Sequence, residues 1–244
     1  MEPVGLSAGF AWDACYRCIR AWSRHCYKLG SHVCNSVASF KSIFWVSLVR
    51  TSMRGAEAVL SRIILIGEPV LVKERIQKKY RVPELDSWLR KRRTRAEAKL
   101  LHRAKLAGVL CPTVFEVEDF RLTISYINGK HPEMTDSEAK EAGTMLAKLH
   151  NAGIIHGDYT PVNLLVVADS SLTKRNRQLY VIDFGLGFFS TDIEDMAVDV
   201  FTMLQALGKN EKKKKAFLSG YRKYKKYRLI MKRVGEVEKR VRYA

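Results

Sequence analysis

Two apolar runs, LLVVAD at 164–169 and QLYVI at 178–182, are separated by the polar SSLTKRNR. Short runs rich in Val, Ile and Leu, joined by a polar connection, pair as a β-hairpin. What constrains the chain is the residue at each open end. Asn163 precedes the first run and Asp183 follows the second, so pairing brings together two side chains that lie 20 residues apart. Their oxygens make a donor set for one magnesium ion, which takes hard oxygen ligands. Asp183 opens Asp183-Phe184-Gly185, and the glycine is expected to permit the sharp turn that holds the metal ligand.

The segment before the hairpin is HGDYTPVN, 156–163, with Asp158 five residues ahead of Asn163. Asp and Asn favour turns, so this spacing alone describes a surface loop. Beside a metal site it describes more: Asp158 is placed to take a proton from an attacking hydroxyl or water, or to orient it. A helix delivers the loop. TDSEAKEAGTMLAKLHNAG opens with Thr135 and Glu138 at capping-box spacing, carries Ala139, Ala142, Leu146 and Leu149 as a stripe, and closes at Gly153.

Upstream, PVLVKERI at 69–76 reads as a strand interrupted by Lys73. A lysine within such a strand is costly unless its ammonium meets an anion. The long run 83–108, with Pro83 near its start and Gly108 at its end, reads as a helix. Ala96, Leu100, Ala104 and Ala107 mark one face and place Glu97 beside its buried edge. Two partners are open to Glu97: Lys73, or Arg93 one turn earlier on the solvent side.

The order Lys73, Glu97, Asp158, Asn163, Asp183 is that of the protein-kinase signature. In that signature Lys73, steadied by Glu97, grips the α- and β-phosphates, Asn163 and Asp183 hold magnesium, and Asp158 acts on the nucleophile. Asp158 and Lys73 are therefore the expected catalytic residues, and Asn163 and Asp183 the expected metal ligands. The fold expected is α+β, a minimal bilobal protein-kinase-like fold. A small β-rich N-lobe spans 53–127, and a reduced helical C-lobe with a basic tail spans 128–244. An ordinary protein kinase differs in several respects. RGAEAVL at 54–60 has one glycine where three usually cradle phosphate, and Gly157 stands where an arginine normally answers an activation-loop phosphate. Eight residues lie between Gly185 and Glu194, which leaves no platform for a peptide substrate.

No apolar run approaches the ~18 to 20 residues a membrane span needs. The net charge of +18 is uneven: residues 53–208 carry 22 Lys/Arg against 20 Asp/Glu, and residues 209–244 carry 15 against three. A basic tail on a nearly neutral body points to an anionic partner, with RNA favoured. Within the tail, Phe217, Tyr221, Tyr224 and Tyr227 fall on one face of a helix and are expected to pack on the body.

Residues 1–52 differ in kind. They hold Cys15, Cys18, Cys26 and Cys34, three of the four tryptophans, and little acid. With His25 and His32 these cysteines could ligate zinc. The expectation preferred is that Met53 is the natural start and that the extension comes from an over-extended reading frame. With Cys111 the one cysteine of the rest, the body reads as cytoplasmic and free of a disulfide framework.

The stretches RGAEA, VLVKERIQKKYRVPELD, RKRRTRAEAKLL, SYINGK, IIHGDYTPVN, VIDFGLGFFS, EDMAVDV and VEKRVRYA resemble the small atypical kinase subunit of the KEOPS (EKC) complex in its archaeal form. The resemblance covers 54–244. It implies a serine/threonine kinase fold working chiefly as an ATPase, using ATP and Mg2+, in support of a threonylcarbamoyl transferase that makes threonylcarbamoyladenosine on tRNA. It implies a nucleotide site from Gly55, Ala56, Glu57, Ala58, Lys73, Glu97, Ser125 and Ile127. Its partners would be the transferase subunit through the C-lobe and tail, a small regulatory subunit through the N-lobe, and tRNA. Arg233, Lys239, Arg240 and Arg242 are the tail cations expected to meet RNA or the partner. Two other readings stand beside this one: a free small-molecule phosphotransferase, which would need a larger helical lobe, and a non-enzymatic RNA-binding scaffold, which would not need all five catalytic positions.

Overall fold

The computed structural model describes residues 51–55, 57–168 and 177–242. The cysteines and histidines of the possible zinc site, and Ala56, lie outside the described residues.

Five antiparallel strands form the first layer: β1 (Thr51–Arg54), β2 (Ala58–Leu65), β3 (Glu68–Arg75), β4 (Val114–Val117) and β5 (Arg121–Ser125), in the order β1-β2-β3-β5-β4. The β1 ladder begins at Thr51↔Arg62, two residues ahead of the boundary expected at 53. Ile66 and Gly67, both at positive φ, make the tight β2–β3 turn. In β3, Val70 is buried and Lys73 pairs with Leu60 on one side and Leu122 on the other, so the lysine sits in a central strand.

Helix α1 (Pro83–Leu106) crosses behind this sheet. Proline at its first turn costs no hydrogen bond, and Gly108 at φ 73 ends it. Its buried stripe runs Thr94, Glu97, Ala98, Leu100, Leu101 and Ala104. This face is rotated slightly from the expected one: Ala96 and Ala107 are half-buried, and Ala98 and Leu101 pack instead.

The second layer is helical. α2 (Asp136–Asn151) starts with the full capping box, Thr135 N–H donating to Glu138 at 2.9 Å and Glu138 N–H to the Thr135 hydroxyl at 3.3 Å. After it come β6 (Ile154–Ile155), a 3-10 turn at Pro161–Asn163, the hairpin β7 (Leu164–Ala168) and β8 (Arg177–Val181), and β9 (Phe188–Phe189), which pairs with β6. Helices α3 (Ile193–Ala206), α4 (Glu211–Tyr221) and α5 (Tyr227–Arg242) complete the chain.

The tail aromatics pack on the body, but not from one helix. Phe217 and Tyr221 are buried on α4, the helix breaks after Tyr221, and Tyr224 lies in the connecting turn. Tyr224 reaches Met196 of α3, and the Tyr221 hydroxyl meets His150 Nδ1 of α2 at 2.7 Å. α2 and α4 touch backbone to backbone. A Cβ on Gly143 would fall 2.0 Å from the Phe217 carbonyl oxygen, and one on Gly220 would fall 1.9 Å from that of Lys140. Reciprocal glycines set this crossing.

Candidate active site

Lys73 and Glu97 meet as the strand and the helix require. Lys73 Nζ lies 2.7 Å from Glu97 Oε1 and 2.7 Å from Asp183 Oδ1. Of the two partners left open for Glu97, the strand lysine is the one it takes. Arg93 turns to Glu57 instead, 2.7 and 2.8 Å from its two oxygens. Burial pushes the Lys73 ammonium down, but the Glu97 and Asp183 carboxylates outweigh it and hold the group above the ordinary lysine range. The same logic runs in reverse at Asp183: burial raises its carboxyl, and Lys73 pulls it below the ordinary carboxylate range.

The hairpin does the work its pattern implies. Leu164 pairs with Val181, and Ile182 N–H donates to the Asn163 carbonyl at 2.9 Å, which fixes Asn163 and Asp183 at one end. The turn that carries Asp183 differs from expectation. Asp183 itself adopts φ 58, whereas Gly185 does not take a positive φ. The glycine serves close approach: a Cβ there would lie 2.9 Å from Asp183 Oδ1 and 3.4 Å from Lys73 Nζ.

Asn163 Nδ2 donates to the Asp158 carbonyl at 2.8 Å and to Asp158 Oδ2 at 2.9 Å. With its nitrogen engaged, the Asn163 amide oxygen is left for a cation. Asp183 and Asn163 thus offer one carboxylate and one amide oxygen, a donor set that fits Mg2+, which completes its shell with phosphate and water.

Two residues that hold this site were not read from the sequence. Asp199 of α3 is 1% exposed and gathers the loop: it accepts from His156 N–H at 2.7 Å and Gly157 N–H at 2.8 Å, and its Oδ2 lies 3.3 Å from His150 Nε2. The signal available was an acid within an apolar helical stripe, among Met196, Val200 and Met203. The second is Arg75, two residues beyond Lys73 and so on the same face of β3. Its side chain is 4% exposed and lies 2.6 Å from Glu97 Oε2. His156, fully buried, faces the Ile182 carbonyl through Nε2 at 3.0 Å, and burial lowers its pKa. At Gly157, φ is 80 and a Cβ would sit 2.4 Å from the Leu186 carbonyl oxygen, so no arginine could stand there in this backbone.

At the flap between β1 and β2, Gly55 N–H donates to the Ala58 carbonyl at 2.9 Å, and Ala58 is buried. Glu57 is turned toward α1 by Arg93. Ser125 N–H donates to the Thr113 carbonyl and its hydroxyl accepts from Thr113 N–H, both at 2.9 Å. The Ile127 carbonyl accepts from Gly129 N–H at 3.0 Å. Among the tail cations, Arg233 Nε lies 2.8 Å from Glu194 Oε2, and Arg240 also pairs with Glu194. Lys239 is exposed, and the Arg242 side chain lies outside the described residues.

Known proteins share this chain's sequence and fold. Residues 116–221 match the lipopolysaccharide kinase (Kdo/WaaP) family. A probable serine/threonine-protein kinase BUD32 homolog of Archaeoglobus fulgidus is 42% identical over 186 residues, 74% of this chain and 91% of that protein. A probable bifunctional tRNA threonylcarbamoyladenosine biosynthesis protein of Methanosarcina barkeri is 35% identical over 185 residues, 73% of this chain but 32% of that protein, so the chain spans about a third of it. In fold, the chain resembles the Rio2 kinase of Chaetomium thermophilum, solved with ADP and Mg2+, at a TM-score of 0.56 and 13% identity, covering 86% of this chain and 75% of that one.

Proposed function

The chain belongs to the family of BUD32-type serine/threonine-protein kinase homologs, and on that premise we propose that it is an atypical kinase and ATPase, dependent on ATP and Mg2+. In this reading it supports a threonylcarbamoyl transferase in forming threonylcarbamoyladenosine on tRNA. The observation that carries the reading is Lys73 Nζ held at 2.7 Å from both Glu97 and Asp183, beside the Asp158–Asn163 pair. Lys73 would meet the α- and β-phosphates, and Asp183 with Asn163 would hold the metal. Magnesium, when bound, neutralises phosphate charge. Asp158, with Oδ2 fixed by Asn163, keeps Oδ1 for the proton of the attacking hydroxyl or water.

The bifunctional Methanosarcina relative joins a region like this chain to further sequence under a tRNA threonylcarbamoyladenosine name, which supports a transferase as partner. That partner is proposed to meet the helical layer and tail. A small regulatory subunit is proposed for the sheet layer, where Tyr80, Val82, Leu85 and Trp88 leave an exposed apolar stripe on α1 and the loop before it. No helix among the described residues is long and apolar enough to cross a membrane, and work in the cytoplasm belongs to the same proposal.

The test is nucleotide affinity with and without Mg2+ for the wild type and Asp183→Ala, together with ATP hydrolysis with and without the transferase and tRNA. Magnesium should tighten binding in the wild type and lose most of that effect in the variant. Hydrolysis should rise when transferase and tRNA are added. Phosphorylation of a small alcohol or amine with no response to tRNA would favour the free phosphotransferase instead, and no hydrolysis at all would favour a scaffold.

A further inference from the structure

From the flap to Asp183, six charged side chains alternate in sign: Arg93, Glu57, Arg75, Glu97, Lys73 and Asp183. The contacts are Arg93 NH1 to Glu57 at 2.7 Å, Arg75 NH1 to Glu57 at 3.4 Å, Arg75 NH2 to Glu97 Oε2 at 2.6 Å, Glu97 Oε1 to Lys73 at 2.7 Å, and Lys73 to Asp183 at 2.7 Å. Glu97 therefore has one cation for each oxygen. Both cations come from β3, and alternation along the strand puts positions 73 and 75 on one face. Arg75, Glu97 and Lys73 are 4%, 3% and 12% exposed at their side chains, so water does little to replace a lost contact.

When phosphates arrive, the Lys73 ammonium must be shared with them, and Glu97 loses part of its hold on Oε1. The bond to Oε2 involves neither Lys73 nor Asp183: Arg75 Nη2 is committed to Glu97 and makes no salt bridge to Asp183 among the described residues, although it comes within 3.6 Å of where a Cβ on Gly185 would sit. We propose that Arg75 is a positioning residue for phosphate binding: it fixes Glu97, and through Glu97 it fixes Lys73, while its second nitrogen ties the flap acid Glu57 to the same point. This does the work that an activation-segment phosphate and its arginine do in other kinases. Gly157, standing where that arginine would be, has no room for a side chain. The pinned flap also answers the loss of two of the usual glycines, since a loop held by Glu57 needs less freedom to be placed over a ligand. The inference rests on the nucleotide reading given above.

The experiment is a double-mutant cycle on nucleotide affinity, read with a fluorescent ATP analogue and Mg2+ on the full chain, with thermal melting alongside. Arg75→Met should weaken binding about 10- to 100-fold, the range covered by loss of one charge-assisted buried hydrogen bond. In a Lys73→Ala background the same change should weaken it less than about twofold, because Arg75 acts through the lysine. Arg75→Lys, which keeps a cation on Glu97 Oε2, should recover most of the affinity. An equal loss in both backgrounds, whether from direct phosphate contact or from general destabilisation, overturns the proposal. So does an Arg75→Lys variant that melts normally yet binds as poorly as Arg75→Met. A wild-type chain that binds no nucleotide would instead overturn the nucleotide reading itself.

Discussion

Asn163 turns one amide nitrogen on Asp158 twice, donating to its backbone carbonyl at 2.8 Å and to Oδ2 at 2.9 Å. The backbone bond means that the loop does not depend on the Asp158 carboxylate for its shape. Asp158→Ala should therefore leave the melting temperature within a few degrees of wild type while ATP hydrolysis falls about 10² to 10⁴-fold, the usual contribution of a general base. Hydrolysis within about twofold of wild type would remove Asp158 from the reaction.

The loop's anchor predicts a pH response. His156 is fully buried, and burial lowers its pKa below the ordinary 6.5. On acidification below 6.5 the unfolded chain takes up a proton that the folded chain refuses until its own lower pKa is reached. Stability supplied by the neutral ring is thus complete above 6.5 and declines as pH falls through that window. Urea midpoints measured between pH 7.5 and 5 should drop, and His156→Gln, which cannot titrate, should show a flatter profile. Asp183, whose pKa is also lowered, titrates below its ordinary 3.8 and so leaves this window clear.

How much could be read in advance follows from the kind of signal each feature leaves. Lys73, Asn163 and Asp183 were legible because a charged or amide residue at a defined place in an apolar pattern demands a partner. Arg75 and Asp199 obey the same rule: one repeats the face of Lys73, the other interrupts a buried helical stripe. What each one holds was set by packing: Arg75 meets Glu97 only where α1 packs behind the sheet, and Asp199 meets the 156–157 backbone only where α3 packs against that loop. The break after Tyr221 left no local mark, since RKYKK contains neither glycine nor proline. It arises from tertiary contact, where Tyr224 turns inward to Met196. In the turn that follows β8 the left-handed residue is likewise Asp183 rather than Gly185, which is instead crowded by Asp183 Oδ1 and Lys73 Nζ.

Two glycines on neighbouring helices should respond oppositely to the same change. Gly220→Ala puts a methyl 1.9 Å from the Lys140 carbonyl oxygen, which is backbone and cannot swing aside. It should destabilise the chain by about 2 to 3 kcal/mol as α4 is forced off α2. Gly235 lies inside α5 with nothing within 4 Å of an added Cβ. Gly235→Ala should stabilise by up to about 1 kcal/mol, through helix propensity alone. Denaturant titration of both checks the crossing; a neutral Gly220→Ala would mean that α4 does not sit against α2 at that distance.

The tail's cations divide by what they already touch. Arg233 and Arg240 converge on Glu194, so replacing them removes contacts that dock α5 on α3 as well as charge. Lys223, Lys225 and Lys226, around the turn between α4 and α5, are exposed and enter no salt bridge among the described residues. If the tail meets tRNA phosphates, these three are better placed to do so than the arginines first singled out from the sequence. Each phosphate neutralised releases condensed counterions, so losing three contacts should flatten the slope of log affinity against log salt by about 2 to 3. The triple change to Ala should accordingly weaken tRNA binding most at low salt and leave thermal melting unchanged. Arg233→Ala with Arg240→Ala should lower the melting temperature and move the slope less. Affinity measured at three salt concentrations for both variants checks the assignment. A slope unchanged in the lysine variant would show those charges to be solvated, and a slope that flattened only in the arginine variant would return RNA contact to the end of α5.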